Sequence, residues 1–292
     1  MAARQERRSF WTWGYESDDP SNQERLDAAK RLAGRLGREV VPPPIPAIAD
    51  IPLRAPRVSI PERLKSWVAT DHTDRVTHTY GGHPVELLAA MRGQFPNPPD
   101  AVAHPADEDE LEATLEWCDK EGIVAIPYGG GTSVVWGVNV PEDVPQAVTI
   151  DLDNLNGIVE VDEVSRAGRF QGGLLGPDLE SHLKPLGLTL RHYPQSFPWS
   201  TVGGWVATRS GGHYATNHTH IDDFVESTRM LTPAGWFESR RLPGSGAGPL
   251  DRPARRVGRG RLRPSLQVGR RQHGTDDPTL LAGRRALGRG DR

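Results

Sequence analysis

Apolar residues along the first 240 positions recur at two spacings, one typical of helices and one typical of strands. Helical spacing runs from Leu26 to Leu36, behind Ser21 and Glu24, which have the spacing of a capping box. Gly37 is a suitable stop for that helix. The same reasoning predicts helices near 85–91, from Asp107, over 176–183 and after Ser200 and Thr201. Asp107–Glu110 is interpreted as an acidic, capped helix start with a second capping box, and not as a catalytic acid pair.

Short apolar runs bounded by turn residues predict strands. We expect them at 98–103, 123–126, 148–152, 158–161, 169–173, 188–190, 224–231 and 236–238. The aromatic residues of segment 9–19 are expected to pack onto the body, because an exposed aromatic patch would be costly. The pattern predicts an α+β protein with two small sheets.

Three consecutive glycines follow the strand predicted at 123–126, in the order Pro127, Tyr128, Gly129, Gly130, Gly131, Thr132 and Ser133. Glycine permits close approach of the backbone to a ligand, and successive amides in such a loop can form an anion-binding nest. A pyrophosphate is the ligand that such a loop would be expected to bind. The loop matches neither the dinucleotide-binding G-x-G-x-x-G pattern nor the P-loop pattern. Taken alone, a Gly-Gly-Gly turn is more often a plain loop.

Two later segments change that interpretation, namely Ser200–Trp205, read Ser-Thr-Val-Gly-Gly-Trp, and Thr208–Gly212, read Thr-Arg-Ser-Gly-Gly. With the glycine loop, His192–Ser196 and His220–Asp223, they resemble the FAD-linked oxidases of the vanillyl-alcohol oxidase and para-cresol methylhydroxylase superfamily. Within it the chain is most similar to the alkyldihydroxyacetonephosphate synthases. The resemblance implies an FAD cofactor and a two-lobed FAD-binding domain of the para-cresol methylhydroxylase type, incomplete at its C-terminus.

The resemblance also implies which residues hold FAD. They are Pro127, Tyr128, Gly129, Gly130, Gly131, Thr132, Ser133, Gln195, Ser196, Phe197, Pro198, Trp199, Ser200, Thr201, Thr208, Arg209, Ser210 and Gly211. Relatives usually have glycine where this chain has Trp136, which puts the geometry of the loop in question. We predict no catalytic residue, because the family's catalytic tyrosine, histidine cluster and substrate-phosphate arginine have no counterpart here.

The function that the resemblance implies is a step of ether-lipid synthesis. In it, an alkyl group replaces the acyl group of acylated dihydroxyacetone phosphate through a flavin adduct. A flavin-dependent 2-hydroxyacid oxidoreductase of the same superfamily is the alternative. The implied partners are therefore FAD and either a lipid-like or a small 2-hydroxyacid substrate, and a homodimer is left open. We expect this chain to be inactive or impaired.

Composition divides the chain near residue 249. From Pro249 onward there are twelve Arg and four Asp with no Lys, Glu or aromatic residue, whereas the preceding residues are acidic overall. We expect three parts: a wrapping segment at 1–97, a partial FAD-binding domain at 98–248 and a disordered tail at 249–292. A shifted reading frame would explain the tail, and the family pattern would then be truncated there. A tail that binds nucleic acid is the alternative, although the acidic body disfavours a nucleic-acid partner.

The remaining polar residues predict neither a metal site nor an unusual compartment. His213, His218 and His220, near Asp222 and Asp223, match no common zinc spacing. Cys118 is the only cysteine and is interpreted as a small buried hydrophobe. The sequence contains no run of about 18 apolar residues, so no membrane span is predicted. The expected location is cytoplasmic.

Overall fold

A computed structural model describes residues 6–214, 220–239 and, as backbone, the strand 265–269. The helices are α1 (Asn22–Leu36), α2 (His72–Thr77), α3 (Pro84–Met91), α4 (Glu108–Glu121), α5 (Gly176–Leu183) and α6 (Val202–Thr208). The strands are β1 (Val68–Ala69), β2 (Ala101–Ala103), β3 (Val124–Tyr128), β4 (Ala147–Asp151), β5 (Ile158–Asp162), β6 (Ala167–Gln171), β7 (Val225–Thr232), β8 (Gly235–Glu238) and β9 (Ser265–Gly269). The prediction of a mixed helix and sheet fold is confirmed.

The helix ends follow their local sequence signals. The Ser21 hydroxyl accepts from the Glu24 amide at the start of α1, and Gly37 ends that helix in the left-handed conformation. At the start of α4, the Asp107 carboxylate caps the Glu110 amide as expected. The second half of the predicted capping box is wrong, because the Glu110 carboxylate accepts from the Ala106 amide instead, at 2.7 Å.

The first sheet has the strand order β1-β2-β4-β3. Strands β2, β4 and β3 are parallel, so their carboxyl ends meet at one edge. Leu111, Leu115 and Cys118 of α4 belong to the core on this sheet. Cys118 is buried as predicted, and burial raises the pKa of its thiol to about 12. It is therefore a core residue and not a reactive thiol.

The second sheet is antiparallel, with the order β5-β6-β9-β7-β8. Its core includes Leu179 of α5 and Trp205 of α6. The predicted strand at 188–190 is wrong: the Glu180 carboxylate accepts from the Leu190 amide at 3.0 Å, so a side chain replaces the ladder partner there. Strand β9 falls in the tail that was expected to be disordered, and the rest of 249–292 lies outside the described residues.

Two N-terminal segments are fastened to the first sheet. The proline-rich strap around 40–61 is held by Asp100, which accepts from the guanidinium groups of Arg54 and Arg57. Burial alone would raise the pKa of Asp100, but these hydrogen bonds outweigh it and hold the pKa at about 2. The N-terminal arm, residues 9–19, packs onto the body as predicted, with Phe10 and Trp11 both buried. Within the described ranges, no helix is long and apolar enough to cross a membrane.

Candidate functional site

A cleft of about 450 Å³ opens where the first sheet meets α6 and the segment before it. Such a volume lies within the roughly 300–1,000 Å³ usual for small-molecule sites. The lining residues predicted from sequence are Pro127, Tyr128, Gly129, Gly130, Gly131, Thr132, Ser133, Ser196, Ser200, Thr201, Thr208 and Ser210. The glycine loop and both later motifs therefore face one cleft. No lining residue of the described chain carries a charge.

The glycine loop follows β3 at the carboxyl edge of the parallel strands, a common place for a ligand in α/β sheets. The backbone N–H groups of residues 129–133 donate to no acceptor within the described chain. The loop end is fixed, because the Ser133 carbonyl accepts from the Gly82 amide at 2.6 Å and the Ser133 hydroxyl accepts from the Gly137 amide at 2.9 Å. A run of available amides on a fixed loop is what an anion-binding nest requires.

Glycine is needed in this loop for packing as well as for ligand access. A Cβ on Gly129 would overlap the Thr201 hydroxyl, and a Cβ on Gly130 would overlap the Trp199 carbonyl oxygen. Gly131 has φ 65°, a region that side chains disfavour. The loop therefore lies directly against the segment 199–201, and the two segments form adjoining walls of the cleft.

The second wall presents hydroxyl groups that buried partners hold in place. Thr201 caps α6 by accepting from the Gly204 amide at 3.2 Å. The Ser200 hydroxyl accepts from the Trp205 indole at 2.7 Å, and the Ser210 hydroxyl lies 2.7 Å from Nε2 of His192. Trp205 and His192 are both buried, with their rings 5.1 Å apart.

A buried ion cluster lies at the ends of β3 and β4, next to the start of the glycine loop. Arg8 donates to both oxygens of Asp151, at 3.1 and 3.2 Å, and lies over the Tyr128 ring at 5.4 Å. His78 Nε2 is 2.8 Å from the same carboxylate. Burial alone would raise the pKa of Asp151, but Arg8 and the His78 hydrogen bond outweigh it and hold the pKa below its ordinary value. The cluster fixes the ends of β3 and β4 where the loop begins.

Several predicted residues lie outside the cleft lining, namely Gln195, Phe197, Pro198, Trp199, Arg209 and Gly211. Arg209 pairs with Asp222. Trp199 donates to Asp18 of the N-terminal arm at 3.0 Å. The structure thus gives these two side chains contacts within the protein. His218 of the considered histidine group lies outside the described residues.

Other lining residues were missed from the sequence, including Val134, Val135, Gly203 and Trp205. The valines directly follow the recognised loop, and the glycine and tryptophan belong to a motif that was recognised but not carried over in full. Continuing each motif to the end of its loop or helix would have found them.

Trp136 is accommodated without entering the cleft. Its φ of 56° explains why glycine suits this position. The residue is 55% exposed, and its ring centroid lies 4.3 Å from that of His83 with the two rings tilted by 33°. The departure from the family pattern therefore places an aromatic residue on the surface beside the cleft. The left-handed backbone at this position costs about 1 kcal/mol of conformational free energy.

Comparison with known proteins identifies the domain that contains the cleft. Residues 99–238 match the model of the FAD binding domain family. Residues 99–238, just under half of the chain, are thus an FAD binding domain. The predicted FAD cofactor is thereby confirmed. The uncharged, amide-rich cleft suits a pyrophosphate, because no carboxylate lines it.

The relatives include enzymes of two kinds. An alkyldihydroxyacetonephosphate synthase of Dictyostelium discoideum is 36% identical over 65% of this chain and 30% of its own length. Glycolate oxidase subunit GlcD of Bacillus subtilis is 26% identical over 64% of this chain and 36% of its own length. A solved structure of alkyldihydroxyacetonephosphate synthase has a TM-score of 0.74 and 26% identity over 90% of this chain and 54% of that chain. The chain thus spans about a third of the length of these curated relatives.

Proposed function

We propose that the cleft holds FAD with its pyrophosphate against the amides of residues 129–133. The single observation that carries this placement is the run of backbone donors without an acceptor in the described chain. Those donors lie at the carboxyl edge of the parallel strands and beside a wall of hydroxyl groups. Residues 129–133 are partly exposed, so water can satisfy these donors until a ligand with several acceptor oxygens takes its place.

Titration of the purified, FAD-free protein tests this placement. We expect FAD to bind and ADP, which carries the diphosphate without the flavin, to compete with it. Riboflavin, which lacks phosphate, should compete poorly. Equal competition by riboflavin and failure of ADP would contradict a pyrophosphate on the glycine loop.

We further propose that the protein serves the exchange of an acyl for an alkyl group on dihydroxyacetone phosphate. The support is the similarity to alkyldihydroxyacetonephosphate synthases in both sequence and structure. Bound FAD would supply the chemistry of the exchange. The residues of this chain would bind the cofactor, orient it and exclude water from its pyrophosphate. None of them is assigned to the lipid.

Oxidation of a 2-hydroxyacid is the second candidate, favoured by the similarity to glycolate oxidase subunit GlcD. The test compares two assays on the FAD-loaded protein. Replacement of the acyl group of acylated dihydroxyacetone phosphate by a labelled fatty alcohol would support exchange. Bleaching of the flavin by lactate or glycolate without incorporation would support oxidation and contradict our first choice.

A further inference from the structure

The hydrogen bond between Trp205 and Ser200 has a fixed direction. Nε1 of Trp205 is 2.7 Å from the Ser200 hydroxyl oxygen, and the two residues are 2% and 5% exposed. An indole N–H can only donate, so the Ser200 oxygen must accept. The hydroxyl proton of Ser200 takes no part in that bond.

That proton is available to a ligand in the cleft. Ser200 lines the cleft, and its hydroxyl has no second hydrogen bond within the described chain. Its backbone is held on both sides, since its amide donates to the Ser196 carbonyl at 2.9 Å and its carbonyl accepts from the Gly176 amide at 3.3 Å. The serine can therefore offer a donor to a ligand without moving its main chain.

The position of Ser200 indicates which part of a ligand it meets. A Cβ built on Gly130 would lie 3.1 Å from Cα of Ser200, so the serine adjoins the amides of the glycine loop. A hydroxyl donor beside a row of amide donors suits an anionic oxygen. The neighbouring pair of His192 and Ser210 fixes no such direction, because an imidazole nitrogen can donate or accept.

We propose that Trp205 is a positioning residue for FAD, which acts by turning the Ser200 hydroxyl into a donor for a pyrophosphate oxygen. This assignment rests on the placement of FAD under Proposed function. Neither residue takes part in a covalent step. The expected signature is energetic coupling between the two side chains, because both line the cleft and Trp205 acts on the pyrophosphate through Ser200.

A double-mutant cycle tests the assignment. The dissociation constants of FAD and of ADP are measured for the wild type, Ser200→Ala, Trp205→Phe and the double variant. We expect Ser200→Ala to weaken both ligands about tenfold, as for the loss of one hydrogen bond to a charged group. Trp205→Phe should weaken both by a smaller or equal factor. In the Ser200→Ala background it should cause no further loss.

A matched control separates positioning from support of the fold. Trp67 donates to the Thr114 hydroxyl at 2.9 Å, away from the cleft. Trp67→Phe removes the same kind of bond and should leave both dissociation constants unchanged. Melting temperatures of the FAD-free variants report any general destabilisation. If Trp205 only supported the fold, its loss of FAD affinity would be accompanied by a lower melting temperature.

Three outcomes overturn the assignment. The first is an unchanged affinity of Ser200→Ala, which decides the matter alone should Trp205→Phe not fold. The second is a pair of losses that multiply in the double variant. The third is a wild type that binds FAD without competition by ADP, which refutes the placement of the pyrophosphate and the role of Trp205 with it. In the first two outcomes the placement of FAD survives.

Discussion

The two walls of the cleft offer hydrogen-bond donors of different origin. The glycine loop offers backbone amides, whose number and direction are set by the course of the main chain. The segment 199–210 offers hydroxyl groups, whose direction depends on buried partners such as Trp205 and His192. The first wall depends on the course of its main chain, whereas the second also depends on the buried residues that orient its hydroxyl groups.

The support beneath the walls differs in the same way. The glycine loop stands on a buried ion cluster of Arg8, Asp151 and His78. The second wall stands on the rings of an apolar core that contains Trp205. Charge holds one wall, and aromatic packing with single directed hydrogen bonds holds the other. The two walls should therefore respond to different kinds of substitution.

The largest effect is expected from Asp151→Asn, which removes the carboxylate that Arg8 contacts with two hydrogen bonds and leaves Asp153, at 4.0 Å, as its remaining acidic partner. Breaking a buried pair from one side costs about 3–5 kcal/mol, and because Asp153 still faces the Arg8 charge we expect the lower end of that range. Urea unfolding measures the loss. The control is Asp27→Asn, since Asp27 is in an exposed pair with Lys30 at 3.6 Å and should cost little. Equal losses in the two variants would show that the cluster does not support the loop.

Asp151 also makes a prediction about pH. Its pKa in the folded protein lies below the ordinary value of 3.8. Its contribution to stability is therefore complete above pH 3.8 and is lost as the pH falls through the lowered pKa. We expect wild-type stability to decline in acid more steeply than that of Asp151→Asn. Parallel acid curves would contradict the prediction.

The next effect is expected from Gly130→Ala, because the new Cβ would overlap a backbone oxygen of Trp199. A carbonyl cannot rotate away as a side chain can, so the walls must separate, at about 1–3 kcal/mol. FAD affinity should fall about tenfold or more, since several amides shift together. Gly34→Ala is the control, because nothing lies within 4 Å of its Cβ position. Its stability should be unchanged or slightly higher.

A smaller effect is expected from Thr201→Ala, which removes the cap of α6 in the second wall. The cost should be about 1 kcal/mol in thermal or urea unfolding. Thr201→Ser keeps the capping oxygen and should retain most of the stability. Should the serine variant be as unstable as the alanine variant, the methyl packing of Thr201 would matter more than the cap.

The smallest effect is expected from salt. No charged side chain of the described chain lines the cleft, so FAD would be held by amide and hydroxyl groups. Raising the salt concentration from about 0.05 to about 0.5 M should change the FAD dissociation constant by less than about twofold. A steep loss of affinity would indicate a Lys or Arg side chain on the pyrophosphate. It would contradict a cofactor site built from amide and hydroxyl groups alone.

Much of this fold could be predicted from adjacent residues. The cap at Ser21, the stop at Gly37 and the strand before the glycine loop are each encoded within a few positions. The predicted strand at 188–190 failed because Glu180, ten residues before Leu190, satisfies that amide. Local pattern cannot reveal such a side-chain partner. Among the site residues, the proposed contacts with FAD stay predictions.

The sequence by itself determined the glycine loop, the later motifs and, through their resemblance to a known family, the FAD cofactor. Only the tertiary structure decided that Gly130, Ser200 and Ser210 share one cleft. It also decided that Arg8 supports the loop through Asp151. The physical reason is that turn and cap preferences act between neighbours, whereas a cleft and a buried ion cluster exist only after segments far apart in the chain have packed together.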